Sequence, residues 1–338
     1  MTEPNLYALP PGVDFPAELV AGLMTRMAGE PPEALARVTL IVNTQRMRRR
    51  VTECLQATGA LLLPRLLLIT DVAALARLAQ PAPISPLRRR LGLSVLLDGL
   101  LATGTTHFPR TALYDLADSL AALMEEMQGE GVTPDRIARL DVANHSAHWA
   151  RTQAFLGIVA DAQEDGPPDA EAVLRRAVTR LAQDWAEKPP ADPVILAGST
   201  ASRGTTALLA QAIARLPNGA VVLPGYDFDL PDEVWASMDD ALTAEDHPQF
   251  RFRRVMDLLD CGPGAIRRWT DAQPPDPGRN QLISLSLRPA PITDQWLTEG
   301  PKLPDLVPAT EALTLIEAPG ERAEALAIAL ILREAAET

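Results

Sequence analysis

Val194-Ile195-Leu196-Ala197 and Ala220-Val221-Val222-Leu223 are short aliphatic runs separated by a single helical stretch, Thr205 to Leu216. Parallel strands need a crossover connection, and a helix of about a dozen residues supplies one, so this spacing predicts a βαβ unit and a parallel sheet. The amino-terminal part repeats the alternation. Leu19, Val20, Leu23, Met24 and Met27 recur at helical spacing, and Val38-Thr39-Leu40-Ile41-Val42 is a β-rich run. Arg46 to Leu55 reads as a second helix, and Arg65 to Thr70 as a further apolar run ahead of a helical Asp71 to Leu78. From Pro86 to Lys188 no strand pattern occurs. One helical stripe there is Leu113, Leu116, Leu120, Leu123, Met124 and Met127; another is Val173, Leu174, Val178, Leu181 and Trp185. Thr133-Pro134 has the residues of a helix start, ahead of Ile137 and Leu140. The expectation is one α/β sheet into which an all-helical block is spliced.

Asp271 to Pro308, rich in Pro and polar residues around an apolar run at Leu282 to Leu287, reads as an extended connector. After it, Leu313-Thr314-Leu315-Ile316-Glu317 reads as a strand, Pro319-Gly320 as a turn and Glu321 to Ala336 as a helix, apolar all round from Ala325 to Leu332. A helix without a polar face belongs inside a domain. It is therefore expected to pack against the connector, a neighbouring molecule or the sheet, and the chain is expected to be a piece of a longer protein. The divisions expected are 1–85 and 190–308 for the two parts of the sheet domain, 86–189 for the helical insertion, and 309–338 for the start of a following domain.

A formal net charge of −13 excludes a broadly basic nucleic-acid binder, because affinity for the phosphate backbone comes from clustered Lys and Arg; any DNA contact must be local. The only two cysteines, Cys54 and Cys261, are far apart and in no metal-ligand spacing, which excludes a disulfide framework and a zinc or iron–sulfur site. Met1 to Pro16 has no basic segment followed by an apolar one, and no stretch approaches the ~20 apolar residues of a membrane span. A cytoplasmic location without a membrane partner is expected.

Ala197-Gly198-Ser199-Thr200-Ala201-Ser202-Arg203-Gly204-Thr205-Thr206 follows a strand and opens a helix, as a phosphate-binding loop would. Such a loop needs Gly-Lys-Ser/Thr, and here Gly204 is followed by Thr205, with no Lys. Leu9-Pro10-Pro11-Gly12-Val13-Asp14-Phe15-Pro16 occupies the slot of a first βα loop, but its prolines remove backbone donors and Asp14 would repel phosphate. Neither Val194 to Ala197 nor Ala220 to Leu223 ends in the acidic pair that holds magnesium in nucleotide hydrolases. His145 and His148 lack an evident third metal ligand, Asp227, Asp229, Asp232 and Glu233 read as a solvated loop, and Ser199 has no nucleophile elbow around it. Catalytic, cofactor-binding and metal-binding residues are therefore expected to be absent. Arg46, Arg48, Arg49 and Arg50 follow a strand, and Arg88, Arg89 and Arg90 open the helical block. These clusters have two readings: phosphate contact through guanidinium donors, or solvated faces ion-paired with the many acids.

Several segments together resemble the amino-terminal part of the AddB subunit of alphaproteobacterial double-strand-break repair helicase–nucleases, an inactivated superfamily I helicase. They are Leu9 to Pro16, Leu62-Leu63-Pro64-Arg65, Ile84-Ser85-Pro86-Leu87-Arg88-Arg89, Glu125 to Val132, Ala197-Gly198-Ser199-Thr200, Leu216 to Gly225 and His247-Pro248-Gln249. The resemblance implies a RecA-like (P-loop NTPase-like) parallel sheet with an inserted helical subdomain, of which this chain would be at most the first third of the subunit. It also implies pairing with an AddA-type motor and nuclease subunit, and a share in holding or guiding DNA. Asn43, Thr44, Gln45 and Arg46 fall where an active helicase of that superfamily has its single-strand-binding motif Ia, so with Arg48, Arg49, Arg88 and Arg89 they are the candidate DNA contacts. The family's nuclease carboxylates and iron–sulfur cysteines have no counterpart here. Two rival readings remain beside a non-catalytic, DNA-guiding scaffold: a degenerate nucleotide-binding ATPase or helicase domain, and a domain that only docks a partner.

Overall fold

The computed structural model describes residues 3–59, 62–76, 82–103, 113–133, 136, 139, 167–202, 204–311 and 313–337. Six strands form one all-parallel sheet: β1 (Leu6–Leu9), β2 (Thr39–Val42), β3 (Arg65–Leu68), β4 (Val194–Ala197), β5 (Gly219–Pro224) and β6 (Arg267–Arg268), in the order β3-β2-β4-β5-β1-β6. The architecture is α/β, of the class that holds RecA-like and Rossmann-type sheets. β2 pairs with β4 in register from Thr39 opposite Val194 to Val42 opposite Ala197. Strands that precede and follow the helical segment thus share one sheet, with β2 lying between β3 and β4.

Successive side chains of a strand point to opposite faces. On one face, Leu9, Leu40, Val42, Ile195, Ala197 and Val222 bury against Leu19, Val20 and Leu23 of α1 (Phe15–Arg26) and Val51 and Leu55 of α2 (Gln45–Ala57). Their neighbours along the strands, Leu6, Ala8, Ile41, Leu196, Val221 and Leu223, are buried too. Between β3 and β4 the described residues form a 3₁₀ turn, Ile69–Ala76, and then three helices: α3 (Pro86–Thr103), α4 (Leu113–Glu130) and α5 (Ala170–Glu187). Leu93 and Leu97 of α3 meet Ala117, Leu120 and Met124 of α4 in a core of their own. α5 and α4 both contact α6 (Gly204–Ala214), which joins β4 to β5 and packs on both strands. Between β5 and β6 lie α7 (Asp232–Ser237), α8 (Ala241–Ala244) and α9 (Phe250–Leu259).

The chain divides into two compact units, residues 1–275 with 289–291, and residues 276–288 with 292–338. Within the second unit the expected extended connector is instead helical: α10 (Pro277–Ser286), α11 (Gln295–Glu299) and α12 (Leu306–Thr310). Its prolines begin helices as well as interrupt them. The Asp276 side chain accepts from Arg279 N–H at 2.8 Å and Pro277 stands in the first turn, a start signal that composition alone reads as loop. Leu313–Glu317, expected as a strand, has no regular structure, because β propensity is realised only in a ladder and no strand runs beside this segment among the described residues. α13 (Glu321–Glu337) forms where expected, but its apolar side chains stand exposed, Leu332 at 64%. Pro134, Ile137, Leu140, His145 and His148, and Leu78 at the end of the early helical stretch, lie outside the described residues. The run Asp71 to Ala76 is 3₁₀ rather than α.

Candidate nucleic-acid interface

The connection leaving β2 runs outward through α2 to β3, and the connection leaving β4 runs the opposite way through α6 to β5. Neighbouring strands whose connections diverge open a crevice at their carboxyl ends, where ligands of open α/β sheets bind. Here that crevice lies between the turn after Val42 and the loop after Ala197. The Asn43 side-chain amide donates across it to the Gly198 carbonyl, tying the two loops together.

On the β2 side, Thr44 caps α2, its hydroxyl accepting from Met47 N–H at 3.1 Å. The first turns of α2 then present Gln45, Arg46, Arg48 and Arg49 beside the positive end of the helix dipole. Arg46 is exposed and makes no ion pair with the described residues. Arg48 lies 3.9 Å from Asp71 and Arg49 lies 3.8 Å from Glu53, both in largely solvated pairs of the kind that exchange partners readily. On the β4 side, Ser199, Thr200, Ala201, Ser202, Thr206 and Arg251 line a polar cleft of about 310 Å³. Ser199 Oγ accepts from Ala201 N–H at 3.1 Å, and the Thr200 and Ser202 hydroxyls lie 3.4 Å apart. Arg251, from α9, was not legible as part of any site: in sequence it belongs to an ordinary amphipathic helix, and only the fold brings it beside a loop about fifty residues earlier.

The segment between β1 and α1 makes its polar contacts within the chain. Asp14 caps α1, one carboxylate oxygen accepting from Ala17 N–H at 3.2 Å and the other meeting Arg50 Nη2 at 3.2 Å. The hydrogen bond that it donates to Asp14 holds the Arg50 guanidinium above its ordinary pKa. Arg50 thus stands in half-exposed pairs with Asp14 and Glu53. Val13, Phe15 and Met47 pack against the sheet core beneath.

Arg88, Arg89 and Arg90 part company. Arg88 is exposed. Arg89 is only 5% exposed and is locked to the equally buried Asp169 at 2.7 Å, so this expected DNA contact is a structural link inside the helical block. Arg90 pairs with Asp118 at 2.8 Å and lies over the Tyr114 ring. In the acidic loop Asp227 accepts from Asp229 N–H at 3.0 Å, while Asp232 and Glu233 open α7. Among the described residues no group of three or more His, Cys, Asp or Glu is placed to hold a metal ion. Burial pushes the Cys261 thiol up, away from reactive thiolate character. No described helix is long and apolar enough to cross a membrane. Comparison with known proteins found no family model that matches the chain and no curated protein similar to it.

Proposed function

We propose that the chain is a non-catalytic, helicase-like scaffold that guides DNA within a two-subunit helicase–nuclease of double-strand-break repair, its partner being an AddA-type motor subunit. The observation that carries this reading is the crevice between β2 and β4. It offers arginines, hydroxyls and a helix amino terminus to a phosphate backbone, while before α1 Asp14 pairs with Arg50 and Phe15 packs on the core. Backbone binding needs donors and positive charge; hydrolysis needs in addition the Gly-Lys-Ser/Thr loop and the acidic pair, which neither candidate loop nor strand β4 or β5 carries in sequence. The pure docking reading has an observation of its own: Leu87, Leu91 and Val95, one turn apart on α3, are 65%, 48% and 75% exposed, a stripe suited to a protein partner.

Fluorescence anisotropy with a labelled single-stranded oligonucleotide, run across a salt series, tests the proposal. The wild type is expected to bind at low salt, and the Arg46→Ala, Arg48→Ala, Arg49→Ala triple variant to lose roughly 0.7 of log–log salt slope for each phosphate contact removed. Equal binding by the two proteins, or none by either, removes the DNA-guiding role and leaves the docking reading. Calorimetric titration with Mg-ATP is expected to show no saturable binding; micromolar binding would instead favour the degenerate ATPase.

A further inference from the structure

Two helix amino termini converge where the helical block meets the sheet, those of α5 and α6. Between them sits Glu171, in the first turn of α5. Its Oε1 accepts from the hydroxyl of Thr205, in the first turn of α6, at 2.5 Å, and Thr205 is 2% exposed. One carboxylate thus faces the positive ends of two helices, where it is stabilised by both. A second link lies beside it: Arg175 of α5 donates to the Gly129 carbonyl at the end of α4. α4 and α6 are in such close approach that a Cβ at Gly204 would come 3.3 Å from that same carbonyl oxygen. Helix α6 in turn ends the loop that begins at Gly198, and Gly198 receives the hydrogen bond from Asn43 at the head of α2. Described contacts at the two ends of this loop, Glu171 to Thr205 and Asn43 to Gly198, therefore connect it to α5 on one side and to the helix that carries Arg46 on the other.

We infer that Glu171 and Thr205 bolt the helical block to this loop, so that whatever engages or tilts the block sets how the β2–β4 crevice is presented. The relay's value for DNA rests on the function proposed above; its mechanical part does not. The half-buried Glu171 carboxylate meets the buried Thr205 hydroxyl where α5 packs on α6, so losing either group should free the loop without unravelling the sheet.

Hydrogen exchange followed by mass spectrometry tests the bolt without DNA. Thr205→Val and Glu171→Gln are each expected to raise exchange across 198–206 about tenfold, the equilibrium worth of one charge-assisted hydrogen bond. The double variant should add little to either, and Thr205→Ser, which keeps the hydroxyl, should restore protection. Exchange of β1 and α1 reports whether the whole domain has loosened. The inference is overturned if 198–206 exchanges as in the wild type, if the rise is uniform over the domain, or if Thr205→Ser is as open as Thr205→Val. In the anisotropy assay, Glu171→Gln should shift single-strand affinity severalfold with an unchanged salt slope, since no phosphate contact is lost. Unchanged affinity with a loosened loop would leave the bolt standing and remove its link to DNA; absence of binding by the wild type would remove the DNA reading alone.

Discussion

A Gly219→Ala protein is expected to lose about 3 kcal/mol of stability, the upper part of the range for forcing a methyl group into packed structure. Gly219 opens β5 immediately after the turn that ends α6, its N–H donating to the Leu216 carbonyl at 3.2 Å. A Cβ there would lie 1.9 Å from the Ile213 carbonyl oxygen, 3.0 Å from its carbon and 2.9 Å from Leu216 Cβ. Two of these atoms are backbone, so no rotamer change relieves the clash; either α6 or the start of β5 must shift. β5 is held in register on both sides, by Val194 of β4 opposite Gly219 and by Leu6 of β1 opposite Val221. The strain would therefore spread through the sheet. Thermal unfolding followed by circular dichroism should show Tm lowered by roughly 6–12 °C. Gly92→Ala is the control: the site is helical, with no atom within 4 Å of the added carbon, and the change should be neutral or stabilising. A Gly219→Ala protein as stable as the wild type would mean that the turn from α6 to β5 is built otherwise than described.

Strands β2, β4 and β5 were legible because each is an aliphatic run bounded by loop residues, buried on both faces, as parallel strands are. β1 was not legible as a strand, since the four residues Leu6–Leu9 carry no usable period, and the two arginines of β6 look like any exposed pair. Beyond residue 275 the helix from Glu321 was legible, but the helix start at Asp276-Pro277 reads as loop and a β-prone run found no ladder to join among the described residues. The arginines of α3 show a different limit. Sequence gives the charge of Arg88, Arg89 and Arg90, but consecutive residues of a helix point about 100° apart, so one faces water, one the interior and one Asp118. The crevice itself depends on a contact between residues 155 positions apart, Asn43 and Gly198, which no local pattern encodes.

Asp169→Ala is expected to destabilise the helical block by roughly 3–5 kcal/mol, because it strands a buried guanidinium. Asp169 does two things at once: one oxygen accepts from Ala172 N–H at 2.7 Å, capping α5, and the other meets Arg89 Nη1 at 2.7 Å with both side chains at or below 5% exposure. The cap alone accounts for about 1 kcal/mol. The remainder follows from charge, since among the described residues Nε and Nη2 of Arg89 are buried without a hydrogen-bond partner and Asp169 is the only carboxylate it reaches. Asp169→Asn, which can still cap the helix, should fall between the two. Arg89→Met combined with Asp169→Ser, which restores a capping oxygen and leaves no charge to compensate, should recover most of the loss, as replacement of a buried pair by apolar packing often does. Denaturant unfolding with hydrogen exchange mapped onto α3 and α5 reads all four proteins. The same variants separate structure from recognition: Arg89→Met with Asp169→Ser should bind single strands with the wild-type salt slope, whereas Arg88→Ala should reduce that slope by about 0.7 if Arg88 touches a phosphate. A slope lowered by the Arg89 variant instead would place that guanidinium on the nucleic acid and show that the Asp169 pair opens when DNA binds.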